Sequence, residues 1–173
     1  QVAVERGRKG TFKGARLAAR DSLRELGLDT NGLRLLDGSG VSRDDRLTPR
    51  FLTELLRVAL DTDTYPQFAS FLEALPVGGR TGTLSASTAR FTTSPSKCAA
   101  GQVFAKTGTL FDTIGLSGYT RGADGELKVF SALVNDRPQQ YSPLSTRQAV
   151  DGLVATVNGC WGPTQKTGQP PGN

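Results

Sequence analysis

The tripeptide Lys-Thr-Gly occurs twice in this 173-residue sequence, as Lys106-Thr107-Gly108 within "FAKTGTL" and as Lys166-Thr167-Gly168 within "TQKTGQPPG". Its residue types suit one kind of chemistry. A Lys ammonium and Thr hydroxyls can together hold a carboxylate, and a glycine lets an extended peptide lie close to the backbone. Where such a triplet closes a strand, the strand edge adds backbone N–H and C=O groups that pair with the peptide. Those are the requirements of a carboxypeptidase acting on a short peptide end. The first copy meets them: it ends the apolar run "GQVFAKTGT" and leads into Thr109 and Leu110. The second lies among Pro170, Pro171 and Gly172, where no neighbouring strand can hold it, and is read as a coincidence of composition.

The elements that position the first copy can be read from periodicity. Ala15, Ala19, Leu23 and Leu26 recur at helical spacing before Gly27, which predicts a first helix. Thr48 as N-cap, Pro49 at the first position and the stripe Phe51, Leu52, Leu55, Leu56 and Ala59 predict a second. Phe68, Phe71, Leu72 and Leu75 predict a third, stopped by Pro76. From Gly78 to Ala100 the chain is small and polar and is expected to cross the surface. The period then changes to that of strands, in "GQVFAKTGT", "GLSGYTR" and "ELKVFSALVN", with Asp124-Gly125 as a hairpin signal between the last two. Both alternating sets of the third strand, Leu127/Val129/Leu133 and Phe130/Ala132/Val134, are apolar, so it is expected to be covered on both faces. Ser142-Pro143 opens a final helix with Val150, Leu153, Val154 and Val157, expected to end at Gly159 and lie across the sheet. The fold class is therefore α+β, an antiparallel sheet flanked by helices. Residues 1–161 form the folded part, and 162–173 a Gly/Pro-rich tail expected to be disordered.

Composition removes other classes. The net charge of +5 comes mostly from scattered Arg, and the 7% of aromatic residues are not interleaved with basic ones, which argues against nucleic-acid binding. No apolar run approaches the ~18 residues of a transmembrane helix. The absence of His excludes a Ser-His-Asp or Cys-His mechanism within the chain, and Cys98 and Cys160 alone give a zinc site too few ligands. The two cysteines fit either one disulfide in an oxidising compartment or a pair of buried thiols. There is no Met, and the first residues are Gln-Val-Ala, so a mature or cleaved piece of something longer is expected.

Lys-Thr-Gly on a strand resembles one of three motifs of the penicillin-recognising serine enzymes, whose others are Ser-x-x-Lys and Ser-x-Asn. Two further stretches narrow the resemblance. "LDGSGVSRDDRLTPRFLTELL" (36–56) resembles the Asp-Gly-Ser-Gly-Leu-Ser-Arg box of the penicillin-binding protein 4-type D-alanyl-D-alanine carboxypeptidase/endopeptidases, peptidase family S13, and "GRTGTLSASTARF" resembles their Gly-Thr-Leu…Arg segment. Order and spacing agree from about residue 14 to 158.

The resemblance implies the C-terminal part of a β-lactamase/transpeptidase-like domain and a Ser acyl-enzyme mechanism on peptidoglycan stem peptides, inhibited by β-lactams and needing no metal or organic cofactor. It implies an exported protein, in the periplasm or cell wall of a bacterium. Lys106 would polarise the Ser-x-Asn hydroxyl and hold the catalytic Lys partly neutral; Thr107 and Thr109 would bind the terminal carboxylate, Gly108 would leave room for the peptide, the Thr109 N–H would supply half of the oxyanion hole, and Leu110 would wall the side-chain pocket. The nucleophile does not fit this picture. Ser94-Pro-Ser-Lys97 matches Ser-x-x-Lys literally, yet it lies in the polar excursion rather than opening a core helix, and no Ser-x-Asn occurs. Ser39, Gly40 and Ser42 are expected to hold a turn, with Asp45 where the family often has Asn. A separate N-terminal fragment of the same precursor, carrying Ser-x-x-Lys and Ser-x-Asn, is therefore the expected partner. A peptide-binding pseudoenzyme is the alternative from another class, and a β-lactamase is disfavoured by the two boxes.

Overall fold

Alternation makes the strands. In the computed structural model, which describes residues 2–162, β1 (Val103–Thr109), β2 (Ile114–Arg121) and β3 (Leu127–Val134) form a three-stranded antiparallel sheet in the order β1-β2-β3. The register is continuous: Lys106 faces Ser117, Gly108 faces Gly115, and Ser117 in turn faces Ser131. Gly125, at positive φ, turns β2 into β3, and the Asp124 carboxylate accepts from the Glu126 N–H.

The chain divides into two compact units, Gln1–Ser70 and Phe71 onward. In the first, α1 (Val2–Glu5) precedes α2 (Phe12–Glu25), and α3 (Pro49–Leu60) starts with Thr48 accepting from the Phe51 N–H. The face that α2 buries is not the expected one. Gly14 and Ala18 are buried while Ala15 and Ala19 are exposed, because the backbone after α1 presses on α2 so closely that a Cβ on Gly14 would clash with the Lys9 carbonyl. Between α2 and α3, the Asp37 carboxylate accepts from the N–H groups of Ser39, Gly40 and Ser42. Lost hydration raises the Asp37 pKa, but these donors and the Ser39 side chain outweigh it and hold the carboxyl below its ordinary value. Asp45 closes the same loop by accepting from the Leu36 N–H at 2.6 Å. The expected turn at Ser39, Gly40 and Ser42 is thus built around carboxylates.

The third predicted helix is shorter than its stripe: a 3₁₀ turn at Pro66–Phe68 leads into α4 (Ala69–Glu73), with Leu72 and Leu75 buried but Phe71 exposed. In the second unit α5 (Pro143–Asn158) lies on one face of the sheet, capped by the Ser142 side chain and ended by Gly159 at positive φ. Val150, Val154 and Ala155 meet Val103, Ala105, Leu116 and Phe130 in the core.

Two expectations are corrected here. The Gly78–Ala100 stretch is not a surface excursion. It folds into 3₁₀ turns at Gly82–Leu84, Ala86–Thr88 and Ser96–Ala99 and buries Leu84, Phe91 and Ala99 in the core. Its glycines give close packing: a Cβ on Gly78 would stand 3.0 Å from the Phe91 ring. The Arg90 guanidinium reaches Asp151 of α5 through Nε–Oδ2 at 2.8 Å and Nη2–Oδ1 at 2.5 Å, both side chains buried. Cys98 and Cys160 are joined as a disulfide across 62 residues, which selects the first of the two alternatives the sequence leaves open. In the chain-entropy view, a loop of that length contributes about 4 kcal/mol. Second, β3 is not covered on both faces. Phe130, Ala132 and Val134 sit on the core, whereas Leu127 is 48% exposed and Val129 and Leu133 are half-buried, because α5 packs on one side alone. Among the described residues nothing pairs with the outer edge of β3.

Gly118 ties β1 to β2. A Cβ there would clash with the Phe104 carbonyl oxygen and lie 2.5 Å from Ala105 Cβ. Gly118→Ala is therefore expected to cost about 3 kcal/mol by overpacking, measured by urea unfolding; a cost below ~1 kcal/mol would contradict this packing.

Candidate active site

Antiparallel pairing decides which groups of β1 are free. In a regular ladder, successive residues point their N–H and C=O alternately toward one neighbouring strand and the other. On the side away from β2, the Ala105 N–H donates to the Pro76 carbonyl at 3.0 Å and the Val103 carbonyl accepts from the Gly78 N–H at 2.8 Å. Val103, Ala105, Thr107 and Thr109 therefore turn their backbone groups outward, and Phe104, Lys106 and Gly108 turn theirs to β2. Residues 76–78 close the outer edge as far as Ala105. Among the described residues, no backbone group pairs with it from Thr107 to Thr109.

Side chains alternate as well, so Lys106 and Gly108 leave one face of β1, and Thr107 and Thr109 the other. Lys106, Gly108 and Thr109 are exposed, Thr107 and Leu110 half-buried. The Lys106 ammonium curls to the open edge, donating to the outward Thr107 carbonyl at 2.8 Å. The Thr107 hydroxyl donates to Thr83 Oγ1 at 2.9 Å. Cation and hydroxyl thus straddle the same short stretch of free backbone. Nothing in the fold demands a glycine at 108, since a Cβ there would meet only the Gly115 backbone, at 3.9 Å.

Around this stretch the Lys106 face of the sheet carries the Ser117–Ser131 hydroxyl pair at 2.8 Å and the stacked Phe104 and Tyr119 rings, 5.0 Å between centroids. Burial pushes the Tyr119 phenol up from its ordinary pKa. Leu110 begins the turn beyond the strand, its N–H donating to the Thr113 carbonyl at 2.9 Å. The structure thus brings Lys106, Thr107, Gly108, Thr109 and Leu110 together at one edge. Thr83 and Arg137, which the sequence reading did not single out, hold that edge in place: Arg137 Nη2 donates to the Phe111 carbonyl at 2.7 Å. The only sequence signal for Thr83 was its place in the "GRTGTL" segment. Ser94 and Lys97 are exposed around the 3₁₀ turn Ser96–Ala99, outside any α-helix. Lys166-Thr167-Gly168 lies outside the described residues.

A model of the D-Ala-D-Ala carboxypeptidase 3 (S13) family matches residues 1–157. The chain belongs to this family. Among curated relatives it is 35% identical over 160 residues to carboxypeptidase DacB of Mycolicibacterium smegmatis, covering 92% of this chain and 33% of that protein. It is 35% identical over 163 residues to the D-alanyl-D-alanine carboxypeptidase of Actinomadura sp., covering 91% of this chain and 28% of that one. The chain thus spans about a third of the length of the relatives it matches. In fold it is similar to penicillin-binding protein 4 of Haemophilus influenzae, with a TM-score of 0.76 and 22% identity over 90% of this chain and 36% of that one. The α+β class with an antiparallel sheet flanked by helices is the one expected from the sequence. Among the described residues no helix is long and apolar enough to cross a membrane.

Proposed function

We propose that this chain supplies the Lys-Thr-Gly half of a serine-type D-Ala-D-Ala carboxypeptidase acting on peptidoglycan stem peptides. The observation that carries the proposal is the open Thr107–Thr109 edge with an exposed cation curled onto it, bounded at Ala105 by residues 76–78. Such an edge accepts a short extended peptide by strand addition, and the closure at Ala105 favours one that ends there.

The terminal carboxylate sits at the Thr107 and Thr109 hydroxyls, in the field of Lys106. A Ser attacks the penultimate D-Ala carbonyl, the outward Thr109 N–H donates to the developing oxyanion, the terminal D-Ala leaves as an amine, and water hydrolyses the ester. Lys106 polarises the Ser-x-Asn hydroxyl and, as a like charge, favours the neutral form of the catalytic Lys. Leu110 walls the side-chain pocket.

The nucleophile and Ser-x-Asn come from polypeptide outside these residues, an N-terminal part of the same precursor. Three observations support this: the unpaired outer edge of β3, the half-exposed Val129 and Leu133 face, and relatives about three times as long. Action outside the cytoplasm, in the cell wall or periplasm, follows from that substrate and fits the disulfide.

The test is D-Ala release from diacetyl-L-Lys-D-Ala-D-Ala by this chain together with its N-terminal polypeptide. Release with transient acylation is expected. Binding of the peptide without release would instead make this a pseudoenzyme, and rapid turnover of penicillin without D-Ala release would make it a β-lactamase.

A further inference from the structure

The sheet face that carries Lys106 holds two hydroxyls with no part in the carboxylate site. Ser117 stands directly across from Lys106 on β2, and Ser131 directly across from Ser117 on β3. Their side chains are half-buried, and the two oxygens meet at 2.8 Å. Strands favour β-branched and aromatic residues at such positions, a preference that the neighbouring pair Tyr119 and Val129 follows and the serine pair does not. Side chains directly opposite each other have Cβ atoms about 5 Å apart, so the Ser117 oxygen lies within the sweep of the long Lys106 side chain. With Ser117 donating to Ser131, both lone pairs of the Ser117 oxygen remain to accept from an ammonium.

The Lys106 ammonium cannot stay where it is when a peptide joins the edge. It donates to the Thr107 carbonyl at 2.8 Å. That carbonyl points outward, along the side on which strand addition places a peptide N–H to pair with it. An incoming peptide therefore takes both the acceptor and the space that the ammonium holds. The bond given up is exposed and joins adjacent residues, so displacing it costs little. The displaced side chain remains on its own face of β1. There Gly108 and Gly115 pair on one side of it and the stacked Phe104 and Tyr119 rings lie on the other. The oxygen directly opposite is that of Ser117.

We propose that Ser117 is a positioning residue for Lys106: when a peptide joins the edge, the ammonium leaves the Thr107 carbonyl and donates to the Ser117 hydroxyl, which Ser131 holds in place. The proposal rests on the carboxypeptidase function above and adds to it the group that fixes Lys106 for acylation. The experiment uses the complete enzyme, in excess over diacetyl-L-Lys-D-Ala-D-Ala, and follows single-turnover release of D-Ala, which accompanies acylation. The maximal rate and the enzyme concentration that gives half of it are compared for wild type, Ser117→Thr, Ser117→Val and Ser117→Ala. Thr and Val have nearly the same shape, but Thr alone keeps the hydroxyl. Val and Ala are expected to lower the maximal rate about 10- to 100-fold, the scale of a misplaced reacting group. The half-saturating concentration should stay near the wild-type value, because Thr107 and Thr109 still hold the carboxylate. Ser117→Thr should restore most of the rate. A wild-type maximal rate in Val and Ala overturns the proposal, and so does a loss confined to half-saturation. A Thr variant as slow as Val also overturns it, since packing rather than the hydroxyl would then be at work. Should Val fail to fold, Ala against Thr makes the same comparison. Absence of D-Ala release by the wild type would overturn the carboxypeptidase function, a distinct outcome.

Discussion

Replacing Lys106 by alanine is expected to slow acylation of the complete enzyme by a β-lactam about 10²–10³-fold, the range seen when one oriented group that stabilises developing charge is removed. The same variant should unfold at the wild-type urea concentration. Both expectations have one origin: the Lys106 side chain is exposed, and the hydrogen bond it makes is to the adjacent Thr107 carbonyl. An exposed contact of that kind contributes little to stability. Its charge instead stands at the free edge where a carboxylate and a Ser hydroxyl would meet. Lys166→Ala, in the second copy of the tripeptide, should leave acylation unchanged. Stopped-flow measurement of acylation by a chromogenic cephalosporin separates the two copies, and equal effects would refute the choice between them.

Asp151→Ala is expected to produce the largest loss of stability, about 3–5 kcal/mol, because it leaves Arg90 buried without its partner. For a chain of this size that is a fall of roughly 10 °C in melting temperature. The damage should reach the site as well. Arg90 lies in the segment that brings Leu84 into the core and Thr83 to the Thr107 hydroxyl, so freeing it from α5 loosens the support of β1. Trp161, the single tryptophan, follows α5 and gives a fluorescence readout of this unit in urea. Replacing both partners, as Arg90→Leu with Asp151→Leu, should recover most of the stability, since no unpaired charge then remains. A single variant that loses less than ~1 kcal/mol would show that the pair does not pin the segment.

The strands were legible because alternation and Asp124-Gly125 are local signals, and the helix ends were legible at Thr48-Pro49 and Ser142-Pro143 for the same reason. The core role of residues 78–100 was not. A chain of 3₁₀ turns buries isolated residues such as Leu84 and Phe91 without any repeating stripe, so its small polar composition looks like surface. The α2 face was misjudged because Gly14 and Ala18 are buried by a backbone approach that periodicity of large residues does not register. At the site, the place of Lys106 to Leu110 at the end of a strand was legible in the sequence. What bounds and fixes them did not show there: closure by Pro76 and Gly78, and the Arg137 clamp, act through backbone carbonyls, which have no residue-type signature.

The central claim, that these residues hold the Lys-Thr-Gly half of a site whose nucleophile lies elsewhere, is tested most directly by locating the covalent adduct. The complete enzyme is reacted with penicillin, digested, and the acylated serine mapped by mass spectrometry. The adduct is expected on a serine outside these 173 residues, with labelling nearly abolished by Lys106→Ala. A penicilloyl group on Ser94, or on any other serine of this chain, would contradict the claim.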